Sequence, residues 1–284
     1  MAKTTKLVTE GSRVSPKQHN LPLQRWWLCH SPADRNDCPE LELLRAWEPL
    51  GSGGPCRGPT ILFLMETKLT VREMEPIKTE LGFASMLAVP SDGRRGGLAM
   101  LWKTDVMIDT QTYSPHHIDV QVLMPSTQPW RLTGFYGYSE EQLKPETWRL
   151  MRHLYNRSTL PWLCVGDYNE ILVSEEKNGR HPRPLPPMLA FRNTLLACGL
   201  IDLGYHGYRY TWRNGCEGED FVEERLDRAC ASLGWSEIYP AAKVHPLTVS
   251  YSDHDPILIT TSPQNVQHNR RPPIRREMGG PPGV

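Results

Sequence analysis

The sequence predicts an α/β domain built on mixed β-sheets, and three observations carry that expectation. Short apolar runs of strand length recur through the central part of the chain, starting with Ile61-Leu-Phe-Leu-Met65. Only a few segments with helical spacing alternate with them, so strands dominate. Acidic and amide residues stand just past the ends of the apolar runs, where such folds collect functional side chains.

The elements follow in order. Thr60 to Met65 is a continuous apolar run ending at Glu66, short enough for a buried strand. Gly96–Trp102 and Ile118–Met124 are strand candidates, the second alternating with period two, and Trp130–Tyr136 is another. Pro145 to Asn156 is helical: Trp148, Met151, Leu154 and Tyr155 share a face, and Pro145 suits a first turn. Pro161-Trp-Leu-Cys-Val165 reads as a buried strand that stops at Gly166-Asp167. A second helix runs from about Pro187 to Gly199, where the glycine ends it. Arg209–Trp212, Glu224–Cys230, Lys243–Val249 and Pro256–Thr261 complete a strand-rich second half. No internal repeat is present.

Composition bounds the possibilities. The 284 residues carry 32 Lys+Arg and 32 Asp+Glu, a size that suits one large domain with extra ends. Residues 61–262 hold 20 basic and 25 acidic side chains, whereas residues 1–60 hold 8 and 6. Residues 263–284 hold four Arg and one Glu among five prolines. An acidic body therefore lies between two basic, proline-rich ends. The expected organisation is a divergent, poorly ordered segment over 1–59, a domain over 60–262 and a disordered basic Pro/Gly-rich tail over 263–284. No apolar run is long enough for a membrane span, and the first thirty residues lack a secretory h-region. Zero net charge argues against a polyanion binder held by bulk charge. Seven cysteines form no C-x-x-C pair and no zinc spacing, which fits reduced thiols in an intracellular protein.

Glu66, Asp167, Asn169, Asp253 and His254 all fall just past an apolar run or in a strand-linked turn. Carboxylates from separate segments can hold a hard divalent cation such as Mg2+, which takes oxygen ligands and leaves positions for phosphate. An Asp near an Asn offers a base for water and a neutral donor for a phosphoryl oxygen. A His beside an Asp supplies a donor to a phosphate once another carboxylate orients its ring. Together these parts describe metal-assisted phosphodiester hydrolysis. Each also has a plain structural reading: a solvated edge at Glu66, an Asx turn at Gly166-Asp-Tyr-Asn169, a core aromatic at Tyr136, a surface ion pair at Asp227.

Six short motifs occur together: Met65-Glu-Thr-Lys68, Gly134-Phe-Tyr-Gly137, Gly166-Asp-Tyr-Asn169, Tyr210-Thr-Trp212, Glu224-Arg-Leu-Asp-Arg228 and Ser252-Asp-His-Asp-Pro256. In this order they resemble the endonuclease/exonuclease/phosphatase (DNase I-like) superfamily. Their wording is similar to the endonuclease domain of plant LINE-type (non-LTR) retrotransposons. The resemblance spans roughly residues 60–262 and implies a four-layer sandwich, two mixed β-sheets face to face with helices outside. It implies Glu66 as principal metal ligand with Asp253 beside the metal, Mg2+ (or Mn2+) as cofactor and DNA as substrate. It further implies Tyr136 on the scissile phosphate, Asp167 as general base, and Asn169 on a phosphate oxygen. Asp227 would hold the ring of His254, which would face the phosphate, and Trp212 would lie near the nucleic-acid groove. A DNA substrate would place the protein in the nucleus.

Two departures stand out. The family opens with an apolar strand ending in an Asn that helps bind metal, written like W-N-C-R-G. Here Trp27-Leu-Cys-His30 is the nearest echo, with Leu28 where the Asn would stand, and Gly54-Pro-Cys-Arg-Gly58 lies too close to Glu66. The first strand is thus not assured, and a catalytically degenerate remnant is the alternative to an active nuclease. A complete element would also continue into a reverse transcriptase, absent here, so a truncated element or gene fragment is expected. A small-substrate phosphatase is a third possibility. Arg94-Arg95, Arg180 and Arg183 offer backbone-tracking charge or solvated loops.

Overall fold

The computed structural model describes residues 59–92, 96–124, 127–249 and 252–261, together with the backbone of 25–30. Two six-stranded sheets form the body. The first contains β1 (Arg25–His30), β2 (Ile61–Met65), β3 (Ser85–Val89), β4 (Leu98–Trp102), β14 (Lys243–Pro246) and β15 (Ile257–Thr260), in the order β14-β15-β1-β2-β4-β3. The second contains β5 (Met107–Ser114), β6 (His117–Leu123), β7 (Trp130–Tyr136), β8 (Trp162–Asp167), β10 (Leu200–Asp202) and β13 (Asp227–Ser232), in the order β10-β13-β8-β7-β6-β5. Three two-residue strands, β9 (Lys177–Asn178), β11 (Trp212–Arg213) and β12 (Glu223–Glu224), make a small third sheet.

Strand alternation explains the layering. In β2, Ile61, Phe63 and Met65 face the second sheet and meet Ile118, Val120, Leu132, Leu163 and Val165. Leu62 and Leu64 point the other way, onto a cluster with Met74 of helix α1 (Val71–Glu80). Behind the second sheet, Phe135, Cys164 and Cys230 pack under α2 (Lys144–Tyr155) and α3 (Leu185–Ala197). Trp148, Met151 and Leu154 supply the buried stripe of α2, and Trp148 stacks on Phe191 of α3 at 4.8 Å. A short α4 (Leu233–Ile238) brings Trp235 against Trp130 between the sheets. The result is the expected four-layer α/β sandwich.

The first strand, which the sequence left in question, is present. β1 runs parallel to β2 and antiparallel to β15, in the middle of its sheet. Trp26 is level with Ile61 and His30 with Met65. A six-residue segment opened by Arg and closed by His shows little as a pattern. Its state is decided by two apolar neighbours whose inner N–H and C=O groups need a ladder partner. Leu28 stands level with Phe63 and Ile257, so this position carries a hydrocarbon where the family has an amide. Apart from Pro59, the remainder of 1–59, the tail from Pro263 and Arg94-Arg95 lie outside the described residues. Cys164, Cys198 and Cys230 are buried free thiols and Cys216 is exposed. Among the described residues no helix is long and apolar enough to cross a membrane.

Candidate active site

Three adjacent strands of the second sheet end at one level. Tyr136 on β7 is in register with Asp167 on β8, and Asp167 with Asp227 on β13. Gly166 permits this convergence. A Cβ there would lie 1.8 Å from the Phe135 carbonyl oxygen, so any side chain would force β7 and β8 apart. Glu66 reaches the same place from the first sheet, and the Tyr136 hydroxyl donates to its Oε1. The turn carrying Glu66 is strained: Glu66 and Lys68 have φ of 52° and 53°, a left-handed conformation costly for residues with a Cβ. It is pinned where the Thr67 and Lys68 N–H groups donate to the Gly97 and Gly96 carbonyls, each at 3.1 Å. Lys68 Nζ lies 3.8 Å from the other Glu66 oxygen.

Burial and the Glu66 carboxylate push the Tyr136 phenol well above its usual range, so it stays a neutral donor. Asp167, 1% exposed, accepts the Asn169 N–H at 2.7 Å on Oδ1, which closes an Asx turn. Asn169 is left-handed at φ 53°, and its amide Nδ2 donates to the Gly137 carbonyl at 2.9 Å. The plain Asx-turn reading is therefore correct as local geometry, and it is this turn that aims both side chains. His254 Nδ1 lies 2.8 Å from Asp227 Oδ2. Burial alone would lower the imidazole, but the adjacent Asp227 carboxylate overrides it and raises it to about 9.

Asp227 is not a surface ion pair. It is 2% exposed, and neighbouring Arg225 and Arg228 turn away to bridge Glu176 and Asp202 at 2.7–2.9 Å. Arg183 is taken as well: it donates to Glu224 and, at 3.3 Å, to the Asn169 carbonyl, so it braces the site rather than standing in solvent. Arg180 is exposed beside Glu219. Asp253 is exposed and accepts the Trp212 indole N–H at 3.2 Å, while Trp212 bridges His254 through the backbone.

Two residues escaped the motif reading. Thr211 Oγ1 accepts the N–H groups of Leu226 and Asp227 at 3.1 and 2.9 Å, which positions the Asp227 strand; it lies inside Tyr210-Thr-Trp212. His116 donates from Nδ1 to the Tyr136 carbonyl at 2.9 Å, and no sequence pattern announced it.

Among the described residues no three His, Cys, Asp or Glu side chains converge tightly enough to cage an ion. Glu66 is half-buried and accepts one hydrogen bond, from Tyr136, with Lys68 nearby, so lone pairs remain. That suits Mg2+, which keeps most of its water and needs one or two carboxylates. Glu66 could hold such an ion through the oxygen lone pairs left after the Tyr136 bond.

A two-sheet sandwich with a Glu, a Tyr, an Asp and a His–Asp pair at one sheet end has the architecture of the DNase I-like class. The Endonuclease/Exonuclease/phosphatase family profile matches residues 30–254, over three quarters of the chain, and the chain belongs to that family. Membership places it among hydrolytic nucleases and phosphatases. No curated protein sequence matches it. Solved structures are similar in fold. AP endonuclease LMAP from Leishmania major is 16% identical, covering 84% of this chain and 87% of that one, with TM-score 0.61. The 3′ phosphatase NExo from Neisseria, bound to product DNA hairpin, is 16% identical over 83% and 98%, with TM-score 0.58. The endonuclease domain of TRAS1, a telomere-specific non-LTR retrotransposon, is 12% identical over 84% and 98%, with TM-score 0.57.

Proposed function

We propose that this chain is a Mg2+-dependent endonuclease that nicks DNA, descended from a LINE-type retrotransposon and acting in the nucleus. The observation that carries the reading is the single level shared by Tyr136, Asp167 and Asp227, with Glu66 and His254 bonded into it. Likeness to TRAS1 supports the retroelement origin, and the product DNA held by the Neisseria neighbour supports the substrate.

In this reading Asp167 orients a water and takes its proton as the water oxygen adds to phosphorus; the opposite P–O bond breaks with its electron pair on the ester oxygen, which takes a proton from solvent. His254, kept cationic by Asp227, donates to a non-bridging oxygen whose charge grows in the transition state. Asn169 keeps one amide hydrogen for a second oxygen while the other holds Gly137. Tyr136, a neutral phenol, steadies the phosphate beside Glu66. A divalent ion on Glu66 would supply positive charge at the phosphate.

The test is conversion of supercoiled plasmid to nicked circles with Mg2+ or Mn2+. Wild type should nick, and Asp167→Ala and His254→Ala should not. The apolar Leu28 favours a second reading, a catalytically degenerate remnant that binds nucleic acid weakly. Plasmid left intact by wild type at saturating metal would select that reading.

A further inference from the structure

We propose that His116 and Tyr138 form an aromatic shelf beside Tyr136, on which the base of an unpaired nucleotide next to the scissile phosphate stacks. The proposal rests on the nuclease reading and adds a binding subsite to it. His116 immediately precedes β6, and Tyr138 lies two residues past Tyr136. The His116 and Tyr138 rings are 3.8 Å apart at an interplanar angle of 30°. The His116 and Tyr136 rings are 6.1 Å apart and nearly parallel at 10°. His116 thus has an aromatic neighbour in both Tyr138 and the Tyr136 whose phenol touches Glu66.

The shelf is held in place by hydrogen bonds. A carbonyl only accepts, so the 2.9 Å bond to Tyr136 O puts a hydrogen on His116 Nδ1. The Tyr136 N–H donates back to the His116 carbonyl at 2.9 Å, and the His116 N–H donates to Ser114 Oγ at 3.1 Å. The Tyr138 N–H donates to Thr147 Oγ1 at 3.0 Å. Rings already fixed lose little freedom when a ligand arrives.

Core packing does not account for these rings. On the other side of the same strands, Phe135, Tyr168 and Phe191 stack fully buried, whereas His116 and Tyr138 are only half-buried. Nor do their polar ends serve the fold: among the described residues, His116 Nε2 and the Tyr138 hydroxyl bond no protein group. A partly accessible aromatic ring beside a phosphate site suits a nucleobase of any identity. A base inside a duplex already has both faces covered, so the shelf selects a nucleotide that is single-stranded or has left the stack.

The experiment measures dissociation constants by fluorescence anisotropy, with Ca2+ replacing Mg2+. The probe is a short single-stranded oligonucleotide, intact or with one base removed at each position in turn. For wild type, removing one particular base should weaken binding about tenfold. Tyr138→Leu should weaken binding of the intact strand by a similar factor and add little once that base is gone. Tyr138→Phe, which keeps the ring, should bind as wild type and serves if the Leu variant unfolds. Unchanged binding by Tyr138→Leu, or losses that multiply at every position, would overturn the shelf. A parallel Mg2+ nicking assay separates the readings: coupled binding without cleavage sinks the nuclease and leaves the shelf standing.

Discussion

Replacing Gly134 with Ala tests whether the spacing between the two sheets builds the site. A Cβ at Gly134 would lie 2.4 Å from Phe63 Cε2 and 2.5 Å from Cδ2. Carbon atoms pack at roughly 3.5–4.0 Å, so the ring must retreat by more than about 1 Å. Phe63 is 2% exposed in the central cluster and Gly134 is tied to Ile118 and Val165 on both sides, so neither yields easily. Overpacking of this kind costs about 1–3 kcal/mol, and a rigid ring against a central strand argues for the upper end. Gly134 lies two residues before Tyr136 and Phe63 three before Glu66, so separating the sheets here loosens the Tyr136–Glu66 contact directly. Urea unfolding should show about 3 kcal/mol lost, and nicking should fall further than the unfolded fraction explains. In a Phe63→Ala background the clash is gone, and the same substitution should cost nearly nothing. Equal costs in both backgrounds would refute the reasoning.

Other outcomes are as specific. His117 sits between Ser114 and Thr112 hydroxyls at 2.7 and 3.0 Å, and burial lowers its imidazole to about 4. Its contribution is present above the unfolded value near 6.5 and is lost as pH falls toward 4, roughly 3 kcal/mol in all; His117→Gln should flatten the stability–pH curve across that window. Lys144→Met strips Glu170, 0% exposed, of its 2.7 Å partner and should cost about 3 kcal/mol in urea unfolding. Tyr136→Phe should slow nicking by about 10²–10³-fold while its melting temperature stays near wild type.

How much was legible depended on whether a segment carried its own signal. β2 and β7 could be read because Ile61–Met65 and Trp130–Tyr136 are buried on both faces or nearly so. β5 could not: Met-Ile-Asp-Thr-Gln-Thr-Tyr-Ser is an edge strand, mostly exposed, and its bulge between Thr110 and Thr112 breaks the alternation. α1 was concealed by Pro76, although Thr70 and Glu73 form a full capping box that announces a helix start. β1 needed its neighbours. Strand-end carboxylates were visible as chemistry, and motif order supplied their roles. What no motif displayed were the braces. Thr211, His116 and Arg183 act on backbone N–H and C=O groups, and such contacts exist only after folding.

The acidic body and a DNA substrate are reconciled by where the charges go. Arg131 is spent on Asp119, Lys144 on Glu170, Arg225 and Arg228 on Glu176 and Asp202, Arg183 and Lys177 on Glu224, and Arg213 on Asp255. These seven cations hold the fold, and their charge is not offered to a phosphate backbone. At the site, four carboxyl groups (Glu66, Asp167, Asp227, Asp253) face two basic ones, Lys68 and His254. Such a site repels a phosphodiester until a cation joins it. Divalent metal should therefore govern affinity as well as rate. With Ca2+ substituted to prevent cutting, DNA should bind at least about tenfold more tightly than in EDTA at equal ionic strength. Glu66→Gln removes the proposed metal ligand together with one negative charge, so it should bind better than wild type in EDTA and gain less from Ca2+. Equal affinity with and without the ion would mean that DNA is held elsewhere on the surface, and the site as drawn would lose its substrate.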